Sequence, residues 1–304
     1  MKKFLSIPLV LLSFSSSPGW GDDFGKGLAA YQNGDFATAL REWTPLAEQG
    51  DAKSQYNLAV LYDEGQGVPE DDQAAAKWYN LAAEQGHAKA QFNLAVLYDE
   101  GEGIPEDDQA AMKWYNLAAE QGYAAAQYNL GVIYAEGDGV PQDDAAAVKW
   151  YSLAAEQGFA DAQHNLGVMY DEGEGVPLDD EAAVRWYRLA AEQGFATAQH
   201  NLGVMYDEGE GVPLDDEAAV KWYRLAAEQG YTPSQANLGF MYLNGEGVTQ
   251  DDVFTHMWWN IAGSAGDSDA VKDRGILERR MTAAQIAEAE KLARECIARD
   301  LKGC

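Results

Sequence analysis

Between residues 51 and 266, apolar positions recur at the three- and four-residue spacing of amphipathic helices, and the whole pattern returns every 36 residues. Six segments follow one another without insertion: 51–86, 87–122, 123–158, 159–194, 195–230 and 231–266. Trp78, Trp114, Trp150, Trp186, Trp222 and Trp258 keep strict register, as do Tyr62, Tyr98, Tyr134, Tyr170, Tyr206 and Tyr242. A fixed period of this size means that each segment is one supersecondary unit, which buries its apolar face against its neighbours.

The first segment predicts two helices. Residues 52–63 form the first, with Leu58, Leu61 and Tyr62 on one face and the small Ser54 a turn earlier. The next four segments place Ala90, Ala126, Ala162 and Ala198 at that small position. Residues 64–69 then break the helix: Gly65 and Gly67 supply backbone angles other residues resist, and Pro69 keeps its predecessor extended. Asp71 or Asp72 caps the second helix. Its packed face is Ala75, Trp78, Tyr79, Ala82 and Ala83, with Trp78 filling the space between layers, and Gly86 ends it.

The flanks depart from the repeat. Residues 22–50 form a divergent first unit in which Ala29, Tyr31, Ala39 and Trp43 echo the pattern. There Asn33-Gly34-Asp35 makes a tight turn, Trp43 aligns with Tyr79, and Pro45 is expected to bend the second helix. Residues 267–304 read as a helical cap, whose last helix starts from a Thr282–Gln285 capping box and runs to about Arg299. The sixth repeat, with Trp259 in place of Tyr, is expected to touch this cap. Cys296 and Cys304 would lie about 12 Å apart on a continuous helix. A bond between them requires the helix to stop near Asp300 and the chain to fold back at Gly303; the alternative is an unpaired or intermolecular thiol.

The pattern in residues 159–194 is Ala162, Leu166, Gly167, Tyr170, Gly173, Gly175, Val176, Asp180, Ala183, Trp186, Tyr187, Ala190, Ala191 and Gly194. On these residues the chain resembles the Sel-one-like repeat family, relatives of the tetratricopeptide repeat. The resemblance implies an all-α fold, a right-handed α-solenoid of stacked antiparallel helix pairs, and adaptor roles between proteins. Some bacterial members of that family carry a disulfide in each repeat or are described as penicillin-binding. These repeats contain no cysteine and the chain no Ser-x-x-Lys, so that activity is not carried over.

Charge narrows the partner. The chain has 50 acidic and 21 basic residues, a formal charge of −29. Such a surface repels nucleic acid and favours a basic protein or peptide. Residues 1–21 read as a secretory signal: Lys2 and Lys3, an apolar run over residues 4–14 too short to span a bilayer, and Gly19-Trp20-Gly21 before Asp22. Without them the chain would carry −31, all of it on residues 22–266, because residues 267–304 hold eight acids and eight bases. A periplasmic or secreted bacterial protein, with no membrane span after signal removal, is expected.

Candidate chemistry is sparse. The loop acids, such as Asp99, Glu100, Glu102, Glu106, Asp107 and Asp108, lack the EF-hand spacing and read as solvated loops and helix caps, with a Ca²⁺-stabilised array as a rival. None of the four histidines sits in a nucleophile or zinc motif, no cofactor motif occurs, and the chain reads as a non-enzyme. A cell-wall or β-lactam ligand remains the alternative to a protein partner. In the family resemblance the first helices line the concave face. The stripe opposite Leu58 and Leu61 carries Tyr56, Phe92, Tyr128, His164 and His200 at one position. Asn57, Asn93, Asn129, Asn165 and Asn201 follow at the next. This stripe is the candidate partner site: an amide ladder to grip a backbone beside variable rings that read side chains. The opposite reading makes each Asn a structural bond within or between repeats.

Overall fold

The short Gly-rich loops and acidic caps set the element boundaries. The computed structural model describes residues 20–304, with side chains from residue 23. The segment read as an export signal therefore lies outside the described residues, save the backbone of Trp20 and Gly21. Sixteen helices are described and no strand. They divide into two compact units, the boundary falling between Gln121 and Gly122.

The first unit holds α1 (Trp20–Gln32), α2 (Phe36–Glu48), α3 (Ala52–Asp63), α4 (Asp72–Glu84), α5 (Ala88–Glu100) and α6 (Asp108–Glu120). The second holds α7 (Ala124–Glu136), α8 (Asp144–Glu156), α9 (Ala160–Glu172), α10 (Asp180–Glu192), α11 (Ala196–Glu208), α12 (Asp216–Ala227), α13 (Thr232–Asn244), α14 (Asp252–Ser264), α15 (Ser268–Leu277) and α16 (Ala283–Ala298). Within each unit, the two helices of a repeat pack on each other, and the second of them packs on the first helix of the next repeat. This is the stacked-pair solenoid that the period implies.

Local chemistry explains the boundaries. Asp71, Asp107, Asp143, Asp179 and Asp215 cap the second helices, each accepting the amide three residues on at 2.9–3.0 Å. Such a cap contributes about 1 kcal/mol. The second glycine of each loop does more. Gly175 has φ +68, and a Cβ there would collide with the backbone of Asp144 at the start of α8. Gly211 stands in the same way against Asp180, and Gly247 against Asp216. Each of these loops thus seats its main chain directly on the preceding repeat's second helix.

The core differs from the sequence reading in one respect. In four of the repeats the fully enclosed ring of the Trp-Tyr pair is the tyrosine: Tyr79, Tyr115, Tyr187 and Tyr223 are at 1% exposure or less. Trp78, Trp150, Trp186 and Trp222, placed by the sequence between layers, are only half-buried, whereas Trp114 and Trp258, at the same position, are buried. Consecutive helix residues point about 100° apart, so one ring faces the first helix and the other lies along the surface. Lys77, Lys113, Lys149 and Lys221 hold their ammonium groups 4.7–5.5 Å from the centroids of the adjoining Trp rings. At the two ends Trp does take the enclosed position: Trp43 donates its indole N–H to Phe24 O, and Trp259 to Ala236 O.

The cap packs on the sixth repeat through Trp259, Ala262, Ala270, Leu277 and Met281. Thr282 and Gln285 form the capping box of α16. The helix stops after Ala298, Asp300 and Leu301 take left-handed φ values of 52° and 64°, and Cys296 is bonded to Cys304. Pro45 lies within α2, which continues to Glu48.

Candidate binding face

The stripe on the first helices is built at the seam between repeats. Tyr56 lies between Tyr79 of its own repeat, 5.9 Å away, and His87 of the next, 4.7 Å away. Phe92 packs on Tyr115 at 5.9 Å. In the second unit Tyr128 meets Tyr151 and Phe159, His164 meets Tyr187 and Phe195, and His200 meets Tyr223 and Tyr231, all at 5.1–5.9 Å. Each ring is half-buried, one edge held by aromatic contacts and the other open. A mobile side chain would present the same atoms with a larger loss of rotamer freedom on binding.

The asparagines are tied into this seam. Asn93, Asn165, Asn201 and Asn237 hydrogen-bond the phenols of Tyr79, Tyr151, Tyr187 and Tyr223 in the preceding repeat. Three of those phenols donate in turn to a carboxylate 16 residues earlier: Tyr79 to Asp63 at 2.9 Å, Tyr187 to Asp171 at 3.0 Å and Tyr223 to Asp207 at 3.1 Å. The chain is Asn to Tyr to Asp across the repeat boundary, so these amides join repeats. Asn57 and Asn129 are buried outright, at 6% and 5% exposure. The amide side of the stripe is therefore less open than its rings.

A second ladder went unread in the sequence. Gln55, Gln91, Gln163, Gln199 and Gln235, all buried, donate to the carbonyls of Ala47, Ala83, Ala155, Ala191 and Ala227 at the end of the preceding repeat. Gln85, Gln121, Gln157, Gln193 and Gln229 donate to the Oε1 of the Gln 30 residues earlier, at 2.7–2.8 Å. The signal was available: a glutamine at each of two fixed positions through five repeats.

The acidic loops form an edge beside the stripe. Glu210 is held above the usual carboxylate range chiefly by Glu208, then by slight burial and by Asp180 and Asp171 of the previous repeat. Burial raises Asp207, with Glu246, Asp216 and Glu208 adding to it. In the first unit burial pushes Asp63 up to about 6, with Asp72, Glu64 and Glu102 contributing against the Tyr79 hydrogen bond. Carboxylates of adjacent repeats are thus crowded together. Among the described residues no group of three His, Cys, Asp or Glu could hold a metal ion. His164 and His200 face different aromatic pairs, and His200 Nδ1 lies 2.9 Å from Ser234 Oγ.

Burial pushes His164 and His200 down to about 4, and burial together with Lys89 and Lys53 does the same to His87. A folded pKa below the ordinary 6.5 means that the unfolded chain binds the proton more readily. Stability from the neutral rings is fully present above pH ~6.5 and is lost as pH falls towards ~4. Asp63 acts in the opposite sense, so a mutant difference isolates the rings. His164→Phe with His200→Phe, copying Phe92, is expected to flatten the fall in melting temperature between pH 6.5 and 4. An unchanged slope would show that the imidazoles are not desolvated.

A profile of the Sel1 repeat matches residues 52–87, 88–123, 124–159, 160–195, 196–231 and 232–267, each beginning one residue after the segments read from the sequence. The fold is similar to a Sel1 repeat protein from Oxalobacter formigenes, with a TM-score of 0.70 and 35% identity over 79% of this chain and 96% of that one. It is also similar to a protective antigen present in uropathogenic Escherichia coli strains that displays an SLR fold, with a TM-score of 0.61 and 32% identity over 92% of this chain and 68% of that one. A stretch of 66 residues is 38% identical to an exopolysaccharide production negative regulator of Rhizobium leguminosarum bv. viciae, covering 22% of this chain and 25% of that protein. The chain spans about a quarter of the length of that relative. No described helix is long and apolar enough to cross a membrane. With six consecutive copies matched over most of its length, the chain belongs to the Sel1 repeat family, whose fold is one of protein interaction.

Proposed function

We propose that this chain is an exported scaffold that binds a basic peptide or protein along its first-helix stripe. The observation that carries the reading is the like-charge crowding along the loops, in which Glu208, Asp180 and Asp171 raise Glu210. A cationic partner relieves that repulsion, while Lys77, Lys113, Lys149 and Lys221 lie over their own Trp rings. The half-buried rings of Tyr56, Phe92, Tyr128, His164 and His200 supply pre-ordered apolar edges for side chains between the charges. The apolar N-terminal run behind Lys2 and Lys3 supports export to the periplasm or beyond.

Affinity capture with crosslinking from an envelope extract tests this. Captured partners are expected to be basic, and their binding to weaken about tenfold between low and high salt, as exposed charge pairs are screened. Replacing Glu172, Glu174, Glu208 and Glu210 by Gln should reduce capture and leave the helical signal intact. Acidic partners held equally at high salt would overturn the reading. Fractionation of a C-terminally tagged chain tests export, and a cytoplasmic product would remove that part alone.

A further inference from the structure

The glutamine ladder loses its last rung. At the position of Gln85, Gln121, Gln157, Gln193 and Gln229, the sixth repeat has Ala265. Its first-helix partner Gln235 still donates to Ala227 O, at 3.2 Å. Gln235 is only 1% exposed, and its Oε1 has no hydrogen-bond partner. A buried acceptor left unmet is destabilising, so a donor placed against it would be held favourably.

A pocket of about 410 Å³ lies at this point. Gln235 and Ala265 line it, with Glu228 from the end of α12, Ile261 and Ser264 from α14, and Ile297, Asp300 and Leu301 from the end of α16. Its volume is within the range of small-ligand sites. The α16 wall is fastened rather than loose. The Cys296–Cys304 bond closes the segment, Gly303 N–H donates to Glu228 at 3.1 Å, and Leu301 N–H to Cys296 O at 3.0 Å. Asp300 and Leu301, the non-glycine residues with left-handed φ among the described ones, sit on that wall. Such backbone concentrates at functional sites.

We propose that this pocket binds an alkyl cation bearing N–H donors, the group an arginine side chain presents. One N–H replaces the absent glutamine amide on Gln235 Oε1. Glu228 and Asp300 supply the negative charge that selects a cation over a neutral amide. Ile261, Ile297 and Leu301 cover the stem. The pocket uses none of the stripe residues, so it stands or falls separately from the stripe.

Two sources share this chemistry, a free alkylguanidinium and an arginine of another protein. Agmatine and N-acetyl-arginine amide are the probes, titrated into the full chain by calorimetry and by following the Gln235 side-chain amide in NMR. Binding of either supports the proposal, and the stronger probe identifies the source. Ala265→Gln supplies the missing donor and fills the space; it is expected to keep the helical signal and weaken binding at least about tenfold. Neutral n-butylurea is expected to bind at least about tenfold more weakly than agmatine. No saturation by either probe at about 10 mM overturns the proposal, as does equal affinity for Ala265→Gln or for n-butylurea. Should Ala265→Gln not fold, Asp300→Asn decides: a clear loss supports the site and unchanged affinity overturns it.

Discussion

Replacing Gly211 by Ala lowers stability by about 2–5 kcal/mol, the sum of a left-handed backbone penalty and an overpacking penalty. The residue has φ +65, and a Cβ would overlap Asp180 C and O and stand 2.8 Å from Glu181 N. Both obstacles are main chain, which cannot step aside by changing a rotamer. Gly194→Ala is the control. Its φ of +90 is equally unfavourable, yet nothing lies within 4 Å of its added Cβ. It should cost only about 1–2 kcal/mol. Urea denaturation of the two variants separates conformational strain from the seam, and equal losses would refute the close-approach argument. Gly203→Ala gives a third comparison: its Cβ would press on the Tyr223 ring, but Ala59 and Ala95 occupy that position in the first two repeats, so ring movement should accommodate it.

Tyr223→Ala has an effect of similar size for a different reason. The ring is fully enclosed, and deleting such an aromatic leaves a cavity costing about 3–5 kcal/mol. It also removes the hydroxyl that joins Asp207 to Asn237, about 1–2 kcal/mol more. Tyr223→Phe keeps the volume and should lose only the latter part. Solenoid stability is approximately a sum of units and nearest-neighbour interfaces, so Tyr223→Ala is expected to split unfolding into two steps. A single transition with unchanged midpoint would refute the central place given to this ring.

The architecture was legible because the period is strict and the turn chemistry explicit. Asp71 and its equivalents cap as aspartates before an Ala-rich helix should, and Thr282 with Gln285 forms the box that the spacing predicts. Neighbouring aromatics were less legible. Trp78 and Tyr79 have similar hydrophobic weight, and only the packing of α3 on α4 decides that Tyr79 points inward. The stripe was half legible. Tyr128, His164 and His200 do share one seam position, but Asn165 and Asn201 turn to phenols whose nearness depends on the stacking of repeats. Gln163 and Gln193 are 30 residues apart in sequence and 2.7 Å apart in space. A periodicity scan weighted by hydrophobicity passes over such polar pairs.

The glycine joints have a consequence for how such a chain arises. Gly103 rests on Asp72, Gly175 on Asp144, Gly211 on Asp180 and Gly247 on Asp216, in each case with main-chain atoms of the neighbour closest. A joint of that kind makes little demand on which side chains its two halves carry. One unit can therefore be duplicated, deleted or recombined with another that keeps the Gln and Tyr of the seam, with little further change at the joint. Nearly identical neighbours such as residues 159–194 and 195–230 fit recent duplication by this route. The ring position is then free to diverge from copy to copy, Tyr in one and His in the next, while the joints keep the array growing in register.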